Sequence, residues 1–392
     1  MKTFCLSAIL LIATSMTLIY AQNKPDGSHA TVKMVDGNKM IDCNISQVKE
    51  TIDMKLSDLV ESCEMIQLET TPESLFKSIY HIGISDNYIA IHSRGQMPIK
   101  LFDRKGKFVR DIGSIGKGPG EFNSLYGMQL DEPANRIYLH PFARATKILA
   151  YSLENEILPA IPLLYQQTKF QAYVKGDKVT VLSMPFKIPN TEAIPLAYQQ
   201  TLDGKLIKKC TEPKHLLINP RNAKGQFNGF NSEISSAFNA NAFDTYTLTW
   251  DKKGYDTLYH YNVNKNKLIP KYVASFDGKK HGSWSREWKS HYWTILFGDE
   301  YKGKKVIVNK KTLKSDFFNI KNDYYGGINL GKIYLSNNGM FIAGITSMDL
   351  INEFDKVLDS GELSAKEAQK IKTIKAQLDE NNNEVIFIGK MK

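Results

Sequence analysis

A unit of short β runs recurs along this chain and constrains its fold more than any other feature. Each copy has an apolar strand, a loop, a second strand, a tight polar turn and a third strand. The first copy places these at 88–91, 99–102, 103–106 (the turn) and 107–110. Later copies have turns at 152–155, 202–205, 262–265 and 309–312, starting 49, 50, 60 and 47 residues apart. A sixth copy begins at 332–335 and 340–343. A period of roughly 50 residues with three or four strands is the pattern of propeller blades, whereas solenoid repeats are usually shorter or helical. Each blade buries its faces only against its neighbours, so an open array would leave two apolar ends exposed. Residues 78–392 have room for six units. The expectation is an all-β, six-bladed β-propeller.

Two stretches interrupt the repeat. Residues 213–243 are polar and rich in Asn, Gly and Phe, as in a long excursion between strands. Residues 347–380 read as helical, with an insertion in the last blade centred on about 360–380. There Leu363, Ile371, Ile374 and Leu378 form a narrow apolar stripe and Ser364 is placed as an N-cap. Beyond it, 385–388 is expected to pair in the last blade with strands from 331–345.

The first 21 residues have a different character. Lys2 precedes an apolar stretch that ends at Ala21, and Thr14, Ser15 and Thr17 interrupt it. This reads as a secretory signal peptide over 1–21, too broken for a membrane span. Residues 22–77 then form a lead-in to the propeller, and no later run is long enough to span a bilayer. Removing the signal removes Cys5 and leaves Cys43, Cys63 and Cys210, an odd number. Three cysteines make no disulfide framework; a Cys43–Cys63 bridge is the alternative to the buried free thiols expected. The net charge of +10 comes from 51 basic residues, of which seven are Arg. Readers of nucleic acid favour Arg, and these Lys residues are scattered, so a solvated Lys-rich surface is expected and no nucleic-acid partner.

The stretch 101–113, running into Gly116-Lys117-Gly118-Pro119-Gly120-Glu121-Phe122, resembles a family of exported six-bladed β-propellers of Bacteroidetes. Residues 56–62 and 66–75 resemble the same family's first segment, and 382–392 its closing strand. That family is of uncharacterised function and distantly similar to NHL-repeat propellers. The resemblance implies a propeller fold and a location in the periplasm or at the cell surface. It implies no catalytic residues.

Motifs that carry chemistry are sparse. The 113–121 loop lacks the Lys-Ser/Thr ending of a P-loop, and no βαβ unit surrounds it, so it reads as a connection between blades. The eight His, at 29, 81, 92, 140, 215, 260, 281 and 291, show no metal-ligand spacing. No catalytic residue, metal or cofactor is expected. The densest aromatic stretch is 284–293, where Trp284, Trp288 and Trp293 accompany Arg286. Such rings either fill the space between blades or stack on a ligand. These four residues are the candidate ligand-binding set. The function expected is a non-catalytic binding or scaffold propeller, monomeric, with a glycan, peptide or protein partner. The alternative is a lyase or hydrolase acting on a polysaccharide or peptide at the propeller channel. Clustered His, Glu and Arg at a channel end would favour the enzyme, and an apolar or Lys-rich mouth the binding protein.

Overall fold

A computed structural model of the chain describes residues 27–93, 95–184, 194–216, 245–247, 256–278, 282–301, 303–334 and 339–392. The 1–21 segment and most of the 213–243 excursion lie outside these. The described residues form six small β-sheets arranged as a six-bladed β-propeller, with three α-helices. Blade one is Ile79–Ile84, Tyr88–Ser93, Ile99–Asp103 and Phe108–Ile112, hydrogen-bonded in that order. Blade two is Leu125–Asp131, Arg136–Pro141, Ala145–Ser152 and Ile157–Gln167. Blade three is Phe170–Lys175, Lys178–Ser183, Ala197–Thr201 and Leu206–Cys210. The first strands of these three blades touch one another, which makes them the inner strands around the axis. Second and third strands are covered on both faces, so Tyr88–Ser93 and Ile99–Asp103 are buried almost throughout. Outer strands such as Phe108–Ile112 are half-solvated.

The tight turns between third and fourth strands have a common role. Each rests on the outer edge of the preceding blade. Asn155 accepts from Gly113 N at 2.7 Å, and Asn266 donates to Lys209 O at 2.8 Å. In blade one Gly106 O accepts from Glu69 N at 2.8 Å. Gly106 has φ +87°, and a Cβ there would collide with the Gln67 carbonyl, so only glycine closes this turn.

The lead-in segment is not separate from the ring. It supplies four strands: β1 (Ala30–Val35), β2 (Asn38–Asn44), β3 (Thr51–Lys55) and β4 (Glu64–Gln67). In blade four, β2 runs parallel to Lys267–Ser275, with β1 outside it. In blade five, β3 runs parallel to Ser315–Asn322. In blade six, β4 pairs antiparallel with Val385–Lys390, which also pairs with Met340–Ile345 as the sequence led us to expect. The amino end thus forms an outer belt over half the ring.

The helices are α1 (Leu56–Leu59), α2 (Ser347–Asp359) and α3 (Ala365–Lys375). The helical segment of blade six begins at Ser347, where the 347–380 stretch read as helical begins, so it takes in more than the 360–380 insertion. Thr346 caps α2 by accepting from Asp349 N. Ser364 and Glu367 form a reciprocal capping box on α3. Leu350, Phe354 and Ile371 are buried, with Leu363, Ile374 and Leu378 packed against them. The three cysteines are free thiols; Cys43 and Cys210 are buried and Cys63 is half-buried. Among the described residues no helix is long and apolar enough to cross a membrane.

Candidate functional site

The four residues singled out in the sequence fall in two places. Gly282–Glu287 is the first strand of blade five, and alternation puts Trp284 and Arg286 on one of its faces. The Arg286 guanidinium stacks 3.2 Å from the centre of the Trp284 ring. Trp288 and Trp293 are elsewhere. They are 4% and 1% exposed, packed on each other at 5.2 Å and against Phe318 and Phe341. Trp288 follows the strand into a turn that tucks against blade six, which leaves these two rings no surface for a ligand. Trp284 alone of the three indoles is partly open.

The end of the same strand carries a buried charged cluster. Glu287, 3% exposed, meets His260 Nε2 at 2.5 Å and Lys310 Nζ at 2.6 Å. Lys310 also donates to Trp288 O at 2.7 Å and lies over the Tyr292 ring. Burial pushes the Glu287 carboxyl up, but its His260 and Lys310 partners outweigh this and hold it below the usual range. Both carboxylate oxygens are committed, so the cluster ties blade four to blade five.

A second polar grouping lies at the opposite end of the ring, where the inner strands begin. His81 and His92 of blade one face each other, Nδ1 to Nδ1, at 3.1 Å. His140 of blade two is fully buried against Phe170 of blade three. Burial, then the nearby His92, His140 and Lys332, hold His81 well below the usual imidazole range. Burial likewise lowers His92 to about 4 and His140 to about 3. These rings are neutral at ordinary pH. Among the described residues no group of His, Cys, Asp or Glu is placed to hold a metal ion.

Beside Lys332 a cavity of about 300 Å³ opens at the seam between blades six and one. Its walls include Ser78, Lys332, Tyr334, Thr346, Asp349 and Glu384. Glu384 accepts from Ile79 N at 3.1 Å and from the Tyr334 hydroxyl at 3.0 Å. Lys332 Nζ donates to Ile79 O at 3.2 Å and lies 4.7 Å from the centre of the Tyr334 ring. Gly344 belongs here for space, since a Cβ would crowd Tyr334 and Glu384. Sequence reasoning missed this site. Its residues come from four separated stretches, 78–79, 331–334, 344–349 and 384, and match no local motif.

Fold and geometry define a six-bladed propeller with a polar cavity where its last blade meets its first. More narrowly, the chain belongs to the family described as "Domain of unknown function (DUF4934)", whose sequence profile matches residues 39–390. Its fold is similar to that of a candidate exported protein from Bacteroides fragilis, at 14% identity and a TM-score of 0.56, over 87% of this chain and 99% of that one. A member of the DUF4221 family from Bacteroides vulgatus matches at 12% identity and a TM-score of 0.46, over 85% and 97%. No curated protein matches the chain.

Proposed function

We propose that this is an exported binding propeller of the bacterial cell envelope that takes its ligand at the seam cavity. The observation that carries the reading is Glu384. It is a carboxylate fixed by Ile79 N–H and the Tyr334 hydroxyl inside an open polar cavity. A carboxylate pinned in this way shapes a binding surface, and both its oxygens keep lone pairs for a ligand. The signal-like residues 1–21 and the fold shared with a candidate exported protein support export. Of the aromatic set, Trp284 on the first strand of blade five is the one ring that is partly exposed.

The test is a binding screen of the purified protein against glycan and peptide panels, read by thermal shift and then titration. A saturable ligand whose binding is weakened about tenfold by Lys332→Met, the loss of one charged hydrogen bond, is the expected result. Turnover of a glycan or peptide without such binding would overturn the reading in favour of an enzyme.

A further inference from the structure

We infer that the seam cavity takes a neutral, hydroxyl-rich ring, the terminal sugar residue of a glycan. This rests on the binding reading above and adds the ligand's chemistry to it. Ligand cavities span about 300–1,000 Å³, so one of about 300 Å³ suits a small unit rather than a long chain. Its walls combine one ammonium, Lys332, with two carboxylates, Asp349 and Glu384.

That mixture discriminates by charge. A net anion drawn to Lys332 meets two carboxylates in the same small space, and a net cation drawn to the carboxylates meets Lys332. Either pays for an unmatched charge. A polyol meets no such conflict, because each hydroxyl both donates and accepts. It donates to Asp349 and Glu384 and accepts from Lys332. Glu384 spends one hydrogen bond on each oxygen, to Ile79 N and Tyr334 Oη. Asp349 accepts from the Thr346 hydroxyl at 2.7 Å. Both carboxylates are therefore oriented beforehand and keep acceptor capacity. Ile79, Ile345 and the two glycines Gly331 and Gly344 supply apolar and flat wall for the C–H face of a ring.

The test titrates the purified protein with neutral monosaccharides, the same sugars at the end of oligosaccharides, uronic acids, inorganic phosphate and short peptides. Neutral sugars should bind. Lys332→Met and Asp349→Asn should each weaken them about tenfold, with the ligand-free protein still folded and melting in one cooperative transition. Tighter binding by the oligosaccharide than by the free sugar identifies the terminal residue of a glycan as the target. Equal binding of the two identifies a free-sugar site and overturns the glycan assignment. If phosphate, uronic acids or peptides bind instead and depend on the same two residues, the sugar assignment fails and the binding reading stands. If no member binds, or binding ignores both substitutions, both fail. Lys332 is exposed, so Lys332→Met keeps the test readable should Asp349→Asn disturb the cap of α2.

Discussion

At the scale of single residues, the aromatic cluster of blade five separates packing from availability. Trp288 is surrounded by Trp293, Phe318 and Phe341 in the core between blades five and six. Trp288→Ala should therefore cost about 3–5 kcal/mol, read as a large drop in melting temperature. Truncating the partly exposed Trp284, which is stacked on Arg286, should lower the melting temperature less than Trp288→Ala does. The buried histidines set the response to acid. His140 falls to about 3, and His92 and His291 to about 4, each mainly through burial. A depressed imidazole stays neutral in the fold while the unfolded chain takes up a proton below its ordinary value of 6.5. Stability is thus full above pH 6.5 and is lost as pH falls toward 4, by about 1.4 kcal/mol per pH unit for each such ring. His140→Gln should flatten the slope of melting temperature against pH over that window. An unchanged slope would show that His140 takes up its proton within the fold.

At the scale of elements, the outer strands reveal how the ring avoids sticking to itself. Blades four, five and six have their edges covered by β1, β2, β3 and β4. Blades two and three are bare, and their edges are blunted differently. Pro159 and Pro162 interrupt the donors of Ile157–Gln167, and Lys208 and Lys209 charge Leu206–Cys210. The carboxyl-terminal strand joins Met340–Ile345 to β4. Deleting 384–392 should strand both edges and give aggregation, measured by light scattering. A monomeric deletion variant with unchanged melting would contradict this role. Much of this level could be read in the sequence. Middle strands are apolar throughout because both faces are covered, and the tight turns recur because each must reach the preceding blade. Ser364 announced its helix through local capping chemistry. The belt was not legible. β3, Thr-Ile-Asp-Met-Lys, alternates as any edge strand does, and its partner lies at 317–321. The seam cavity was hidden for the same reason, since Lys332, Asp349 and Glu384 of blade six meet Ser78 and Ile79 of blade one only when the ring closes.

At the scale of the whole molecule, closure does more than bury two ends. It creates the seam where the candidate site lies, because Ile79 of blade one anchors both Glu384 and Lys332 of blade six. The site and the joint of the ring are the same place, so what loosens the joint also dismantles the site. The belt adds a consequence in time. Its strands are made long before their partners at 272–275, 317–321 and 385–388. A nascent chain must carry these edges unsatisfied through most of its synthesis, and contacts that distant in sequence form slowly. The ring can close only once Val385–Lys390 has been made, which makes any copy terminated before that strand a molecule with open sheets and no site.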